Sequence, residues 1–129
     1  MKIQHTTIYV TDQEKAHRFY TEVLGFQTKA DFSNAGFRWL TVVSPADPDG
    51  CQLQLAADDN PAGKAYAQAL FAQRQPSVMF TTRDVVADCD AIQGRGGALT
   101  MPPTDTTGSK IAQLSDGCGN LIQLTQLTW

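Results

Sequence analysis

His5-Thr6-Thr7-Ile8-Tyr9-Val10-Thr11-Asp12 leads, after six further residues, into Phe19-Tyr20-Thr21-Glu22-Val23-Leu24-Gly25-Phe26. The first stretch is dense in β-branched and aromatic residues and predicts a strand over residues 3–10. Thr11-Asp12-Gln13-Glu14 has the spacing of a capping box, in which a Thr hydroxyl and a Glu carboxylate satisfy the free amides of a helix start. Behind it Ala16, Phe19, Tyr20, Val23 and Leu24 fall on one helical stripe. Gly25 ends that helix, because glycine enters the left-handed conformation without steric cost. Strands are expected at about 26–32, 37–43 and 51–57, separated by turn-rich Ser33-Asn34-Ala35-Gly36 and by residues 44–50. The order is β-α-β-β-β.

The pattern then recurs. Asn60-Pro61 supplies a cap and a first-turn proline for a linking helix over about 60–75, with Ala62, Ala65, Tyr66, Ala69 and Leu70 as its apolar face. Residues 77–82 read as a strand, Asp84 opens a helix with Val85, Cys89 and Ile92 inward, and Gly94, Gly96 and Gly97 close it. Strands at about 99–101, 110–114 and 120–126 follow. Adding 72 to Asp12 gives Asp84, and adding 72 to Gly25 gives Gly97. At an offset of 69, Gly50-Cys51-Gln52-Leu53-Gln54-Leu55 falls on Gly119-Asn120-Leu121-Ile122-Gln123-Leu124. Four markers in the right order indicate two tandem βαβββ modules, at about 1–58 and 76–129, in one α+β domain.

Composition narrows the function. A chain of 129 residues with 42% apolar and 18% charged residues is globular and of single-domain size. A net charge of −3 argues against a nucleic-acid partner, and no apolar run reaches membrane-spanning length. The polar N-terminus lacks a signal-peptide pattern, so a cytoplasmic location is expected. Cys51, Cys89 and Cys118 form no CxxC pair and suggest neither a disulfide framework nor a thiolate metal site. Eleven Asp stand against two Glu (Glu14, Glu22) and two His (His5, His17), so chemistry that needs several His and Glu has few residues to draw on.

Residues 5–12, the helix ending at residues 19–26 and Asp116-Gly117-Cys118-Gly119-Asn120-Leu121-Ile122-Gln123-Leu124 together resemble the vicinal oxygen chelate superfamily of glyoxalase I, bleomycin-resistance proteins and extradiol dioxygenases. The resemblance spans the whole chain. It implies paired βαβββ modules forming a curved mixed sheet, helices outside, a ligand cleft on the concave face and a homodimer. It also implies where a metal would sit in metal-dependent members: a His on each module's first strand and a Glu on each last strand. Those positions fall on His5, Ser77, Gln54 and Gln123, of which only His5 keeps the usual type. One imidazole with two neutral amides and a hydroxyl is a poor donor set for a divalent ion. Neither a metal nor another cofactor is therefore expected. Glu14 and Glu22 lie on the first helix, and Asp47, Asp49, Asp58, Asp59, Asp105 and Asp116 read as turn or cap residues.

Strand alternation gives the cleft lining. His5, Thr7 and Tyr9 share one face of the first strand. Gln52 and Gln54 lie opposite the inward Leu53 and Leu55, and Gln123 and Thr125 occupy the same face of the last strand beside Leu121. Phe37, Trp39 and Thr41 are placed in the cleft, Leu40 and Val42 against the helices. Each residue has a plainer role open to it. His5 is either a sheet-bonded histidine or a ligand contact, with acid–base catalysis a further role. Phe37 and Trp39 are either cleft walls or core, and Gln54 and Gln123 either contact ligand or bond each other. Arg38 reads as solvated, with an anionic ligand group as the other partner. Cys118 reads as structural, and Thr104-Asp105-Thr106-Thr107-Gly108 as a flexible loop or lid.

Aromatic walls with neutral amide and hydroxyl groups suit a mostly uncharged organic molecule. The expected function is sequestration of such a molecule. The alternative is a lyase, isomerase or dioxygenase that uses His5 with an atypical metal site or none. A third reading, an interaction module, requires the cleft to be filled by the protein's own side chains.

Overall fold

The computed structural model describes all residues, Met1–Trp129. Module one comprises β1 (His5–Val10), α1 (Gln13–Arg18), a π-helical turn (Phe19–Val23), β2 (Gln27–Asn34), β3 (Phe37–Val43) and β4 (Gln52–Ala57). After α2 (Pro61–Ala72), module two repeats the order with β5 (Val78–Thr81), α3 (Val85–Gly94), β6 (Leu99–Thr106), β7 (Ser109–Ser115) and β8 (Leu121–Leu127). The strands form two four-stranded mixed sheets, β1-β4-β3-β2 and β5-β8-β7-β6, each with one parallel pair.

The register carries the repeat down to single residues. Thr7 faces Gln54 in the first parallel pair and Met79 faces Gln123 in the second, which are the offsets 72 and 69 read from the sequence. Both helices are capped by the repeated aspartate: Asp12 accepts from the Lys15 amide and Asp84 from the Ala87 amide. The cap of α1 is thus Asp12, not Thr11 as the capping-box spacing suggested, because Asp12 holds the extended backbone that precedes the helix and its carboxylate accepts from the first-turn Lys15 amide. Gly25 has φ +85°, and the Phe26 amide bonds back to the Tyr20 carbonyl, closing the helix as expected.

Three expectations give way, the first on α2: of the apolar face expected there Ala62, Ala65, Tyr66 and Ala69 are exposed, and the helix instead buries Gly63 and Ala67. The stretch 104–108 is no loop: Thr104, Asp105 and Thr106 extend β6, and only Thr107 and Gly108 turn into β7. Pro102 and Pro103 disguise the strand in the sequence, and they are tolerated because β6 is an edge strand whose register shifts between Met101 and Thr104. Asp116 is a turn residue, but it is also buried.

Both sheets direct their helix-side faces into one shared core. Ile8, Val10, Leu40, Val42, Leu53 and Leu55 from the first meet Ala112, Leu114, Ile122 and Leu124 from the second, with Ala16, Tyr20, Val85, Cys89 and Ile92 between them. Phe26 and Phe80 stack edge to face across the modules at 4.9 Å, and Arg95 Nε donates to the Val23 carbonyl at 2.8 Å. The opposite face of each sheet is left open.

Candidate functional site

On module one, cross-strand pairing aligns Thr7, Gln54 and Thr41 in one row and His5 beside Gln52 in the next. Thr7 Oγ1 donates to Gln54 Oε1 at 2.8 Å, and Thr41 Oγ1 donates to Gln52 Oε1 at 2.8 Å. Each hydroxyl occupies an amide oxygen and leaves the matching NH2 group without a protein acceptor, so the open face presents donors. Thr41 is itself fully buried. It was expected in the cleft, but β3 is an interior strand, and Thr41 acts from beneath by holding Gln52. His5 is exposed and packs edge to face on Trp39 with ring centroids 5.5 Å apart; its imidazole bonds no protein group, so it is not a sheet-bonded histidine.

Thr7, Tyr9, Phe37 and Gln54 line a hollow of about 310 Å³ with Gln13, Arg38 and the start of α2. Gln13, absent from the sequence-based set, donates from Nε2 to the carbonyls of Leu55 and Arg38 and ties α1 to two strands. Tyr9 lies against Gly63 of α2, where an added Cβ would stand 2.6 Å from the ring, so only glycine admits this approach. Phe37 is 57% exposed, a wall open to solvent rather than core.

Arg38 is already paired within the protein. Its guanidinium forms a two-pronged bond to Asp31 at 2.8 and 2.9 Å and a third bond to Glu14 at 3.0 Å. These bonds hold the Asp31 carboxyl below its ordinary range and the Arg38 guanidinium above its own.

On module two, Gln123 Oε1 accepts from Gln113 at 3.1 Å, while its NH2 reaches Thr125 Oγ1 and Met79 Sδ. Gln54 and Gln123 therefore bond their own neighbours rather than each other. Ser77 Oγ donates to Asn120 Oδ1 at 2.8 Å. A second hollow, about 610 Å³, is lined by Phe71, Arg74, Thr100, Met101, Gln113 and Leu121. It shares no residue with the first. Strand alternation places Leu121 on this face, whereas Gln113 and Met101 lie on strands whose sequence signals are too weak to place them. With both hollows unfilled, the open faces have not become core.

Beneath the two faces lies a buried polar knot. Asp116 accepts four bonds: Tyr20 Oη at 2.8 Å, the Cys118 and Asn120 amides at 2.7 and 3.0 Å, and Asn120 Nδ2 at 3.0 Å. Asn120 Nδ2 also donates to the Tyr9 carbonyl at 2.9 Å, so the knot fixes β1 against module two. Burial, then the Asp116 charge, pushes the Tyr20 phenol well above its usual value. Burial, with Asp116 adding to it, pushes the Cys118 thiol up to about 11, which suits a structural residue rather than a nucleophile.

The four positions to which the resemblance assigns metal ligands thus lie as His5 and Gln54 on one sheet and Ser77 and Gln123 on the other module. Three of them spend a side-chain oxygen on a hydrogen bond within their own module. Nowhere do three or more His, Cys, Asp or Glu side chains gather in metal-binding geometry.

Comparison with known proteins agrees with this architecture. Residues 2–124 match the family model of the Glyoxalase/Bleomycin resistance protein/Dioxygenase superfamily. The chain is 42% identical over 126 residues to the uncharacterized protein YurT of Bacillus subtilis (strain 168), covering 98% of this chain and 99% of that protein. It is 28% identical over 133 residues to a "Probable lactoylglutathione lyase" of Vibrio cholerae, covering 97% and 90% of the two chains. Among solved structures, TnmS3, an antibiotic binding protein from Streptomyces sp. CB03234, superposes with a TM-score of 0.79 at 32% identity, covering 99% of this chain and 97% of its own. From its tandem modules, its repeated register and this match, the chain belongs to the glyoxalase/bleomycin resistance protein/dioxygenase superfamily.

Proposed function

We propose that this protein sequesters a mostly uncharged organic molecule on the open faces of its sheets, without a metal and without turnover. The observation that carries this reading is the bonding of the would-be ligand set. Gln54, Ser77 and Gln123 offer neutral oxygens already engaged by Thr7, Asn120 and Gln113, and His5 has no carboxylate bonded to it. Such a set does not fit a divalent ion, whose capture from water needs anionic or imidazole donors in number. It does fit an organic ligand. The free NH2 groups of Gln52 and Gln54 donate to carbonyl or ether oxygens, while Tyr9, Phe37 and Trp39 supply apolar area. Relationship to an antibiotic binding protein supports this reading.

We place the complete cleft between two copies of the chain, with module one of each facing module two of the other, in a homodimer. The two separate hollows, the exposed Phe37 on the first of them, and the exposed Phe32 and Met79 elsewhere on the surface support this arrangement. Sedimentation velocity checks it, and a monomer across micromolar concentrations would refute it. Elemental analysis of purified protein tests the central reading. Well below one transition metal per ten chains is expected; one firmly held ion per chain would overturn it. The enzyme reading draws on the likeness to the "Probable lactoylglutathione lyase" of Vibrio cholerae and on the retained His5. Under it, His5→Ala abolishes a turnover that the sequestration reading says does not exist.

A further inference from the structure

The linking helix α2 ends in an unusual way. The Gln75 amide bonds to the Leu70 carbonyl and the Arg74 amide to the Phe71 carbonyl, with Arg74 itself at φ +57°. This is the left-handed position after a helix, where glycine carries least strain and a long side chain costs backbone energy. Apart from Ala35, Arg74 is the only non-glycine residue in the chain at positive φ. Arg74 is exposed and lines the 610 Å³ hollow of module two, beside Phe71, Met101, Gln113 and Leu121. No carboxylate lines that hollow, and Arg74 takes part in none of the ion pairs of the chain. The contrast with Arg38 is direct, since the arginine on the other hollow is neutralised by Asp31 and Glu14.

We infer that Arg74 is the specificity-determining residue of the second hollow and selects an aromatic ligand bearing an acidic oxygen, such as a phenolate, sulfonate or carboxylate. The ring system lies on Met101, Leu121 and Phe71, and the oxygen meets the planar guanidinium, which pairs with such groups through two parallel bonds. The inference rests on the reading of the open faces as ligand surfaces and adds the charge of one end of the ligand.

The test compares two fluorescent probes of one ring skeleton, anilinonaphthalene sulfonate and the uncharged phenylnaphthylamine. Wild type is expected to bind both, the sulfonate more tightly. Arg74→Gln and Arg74→Gly should weaken the sulfonate about tenfold, as expected for loss of one charge-assisted contact, and leave phenylnaphthylamine unchanged. Arg74→Gly should melt no lower than wild type, because glycine relieves the left-handed strain, so lost affinity is not lost folding. Unchanged sulfonate affinity in both variants, or an equal loss of both probes, overturns the assignment to Arg74 while leaving the ligand-surface reading standing. Failure of wild type to bind either probe overturns both.

Discussion

Replacing Tyr20 by Phe removes one oxygen from the buried knot and nothing else. That oxygen donates at 2.8 Å to Asp116, and both residues are essentially inaccessible to water. Asp116 keeps three of its four donors in the variant, so the expected loss is that of a single hydrogen bond to a charged acceptor, about 1.5–3 kcal/mol. With an unfolding entropy of about 0.27 kcal/mol/K for a chain of this length, Tm should fall by about 6–11 °C at neutral pH. Calorimetry at matched protein concentration measures it, concentration being fixed because any self-association couples melting to mass action. A second arm varies pH. The folded protein holds the Tyr20 phenol protonated beyond its usual range, whereas the unfolded chain releases that proton above about pH 10. Above that pH the unfolded state binds fewer protons, so stability falls as pH rises, and the effect is absent from the Phe variant. The gap between wild type and Tyr20→Phe should therefore be full below pH 10 and shrink above it. A drop in Tm under about 2 °C, or a gap that widens in alkali, would refute this account of the knot.

Three further outcomes are expected. Gly63→Ala places a methyl group 2.6 Å from the Tyr9 ring, so the gain in helix propensity is outweighed by about 1–3 kcal/mol of overpacking; a variant more stable than wild type in urea titration would contradict this contact. Of the three thiols, exposed Cys51 should react promptly with a disulfide reagent at pH 8, while buried Cys89 and Cys118, both with raised pKa, react only on unfolding. Equal rates for all three would be inconsistent with that burial. Joint substitution Gln54→Glu, Ser77→His and Gln123→Glu should create zinc binding measurable by competition with a chromogenic chelator, and failure to bind would show that the open faces do not meet in the proposed way.

Local chemistry made much of this fold readable. The aspartate caps, the glycine stops and the paired Gln-Leu strands are each decided by residues within a few positions, and duplication printed them twice at constant offsets. Alternation correctly grouped Thr7 with Gln54's face, because a half-buried strand enforces a period of two. It could not say how deep a residue lies, and Thr41 shows the gap: right face, interior strand, no accessible surface. Asp116 marks a second gap. Its bonds to Cys118 and Asn120 are local and were anticipated as a turn, but its partner Tyr20 lies 96 residues away, a distance no local pattern spans. Arg38 is similar: its neutralisation by Asp31 and Glu14 depends on a strand and a helix meeting in space. The Gln113–Gln123 pair went unseen because β7, which holds Gln113, carried only a weak period and its neighbour β6 is interrupted by Pro102 and Pro103.

The shared core has a consequence for how small a working version of this protein can be. Were the chain divided at α2, each half would retain its strands and helix yet expose to water the apolar side that now meets the other half. A half-length product would gain cover only by pressing that side against a copy of itself. The minimum autonomous unit is therefore two repeats back to back, whether joined by a helix or held as separate molecules, and shortening below that size costs solubility before it costs a binding surface.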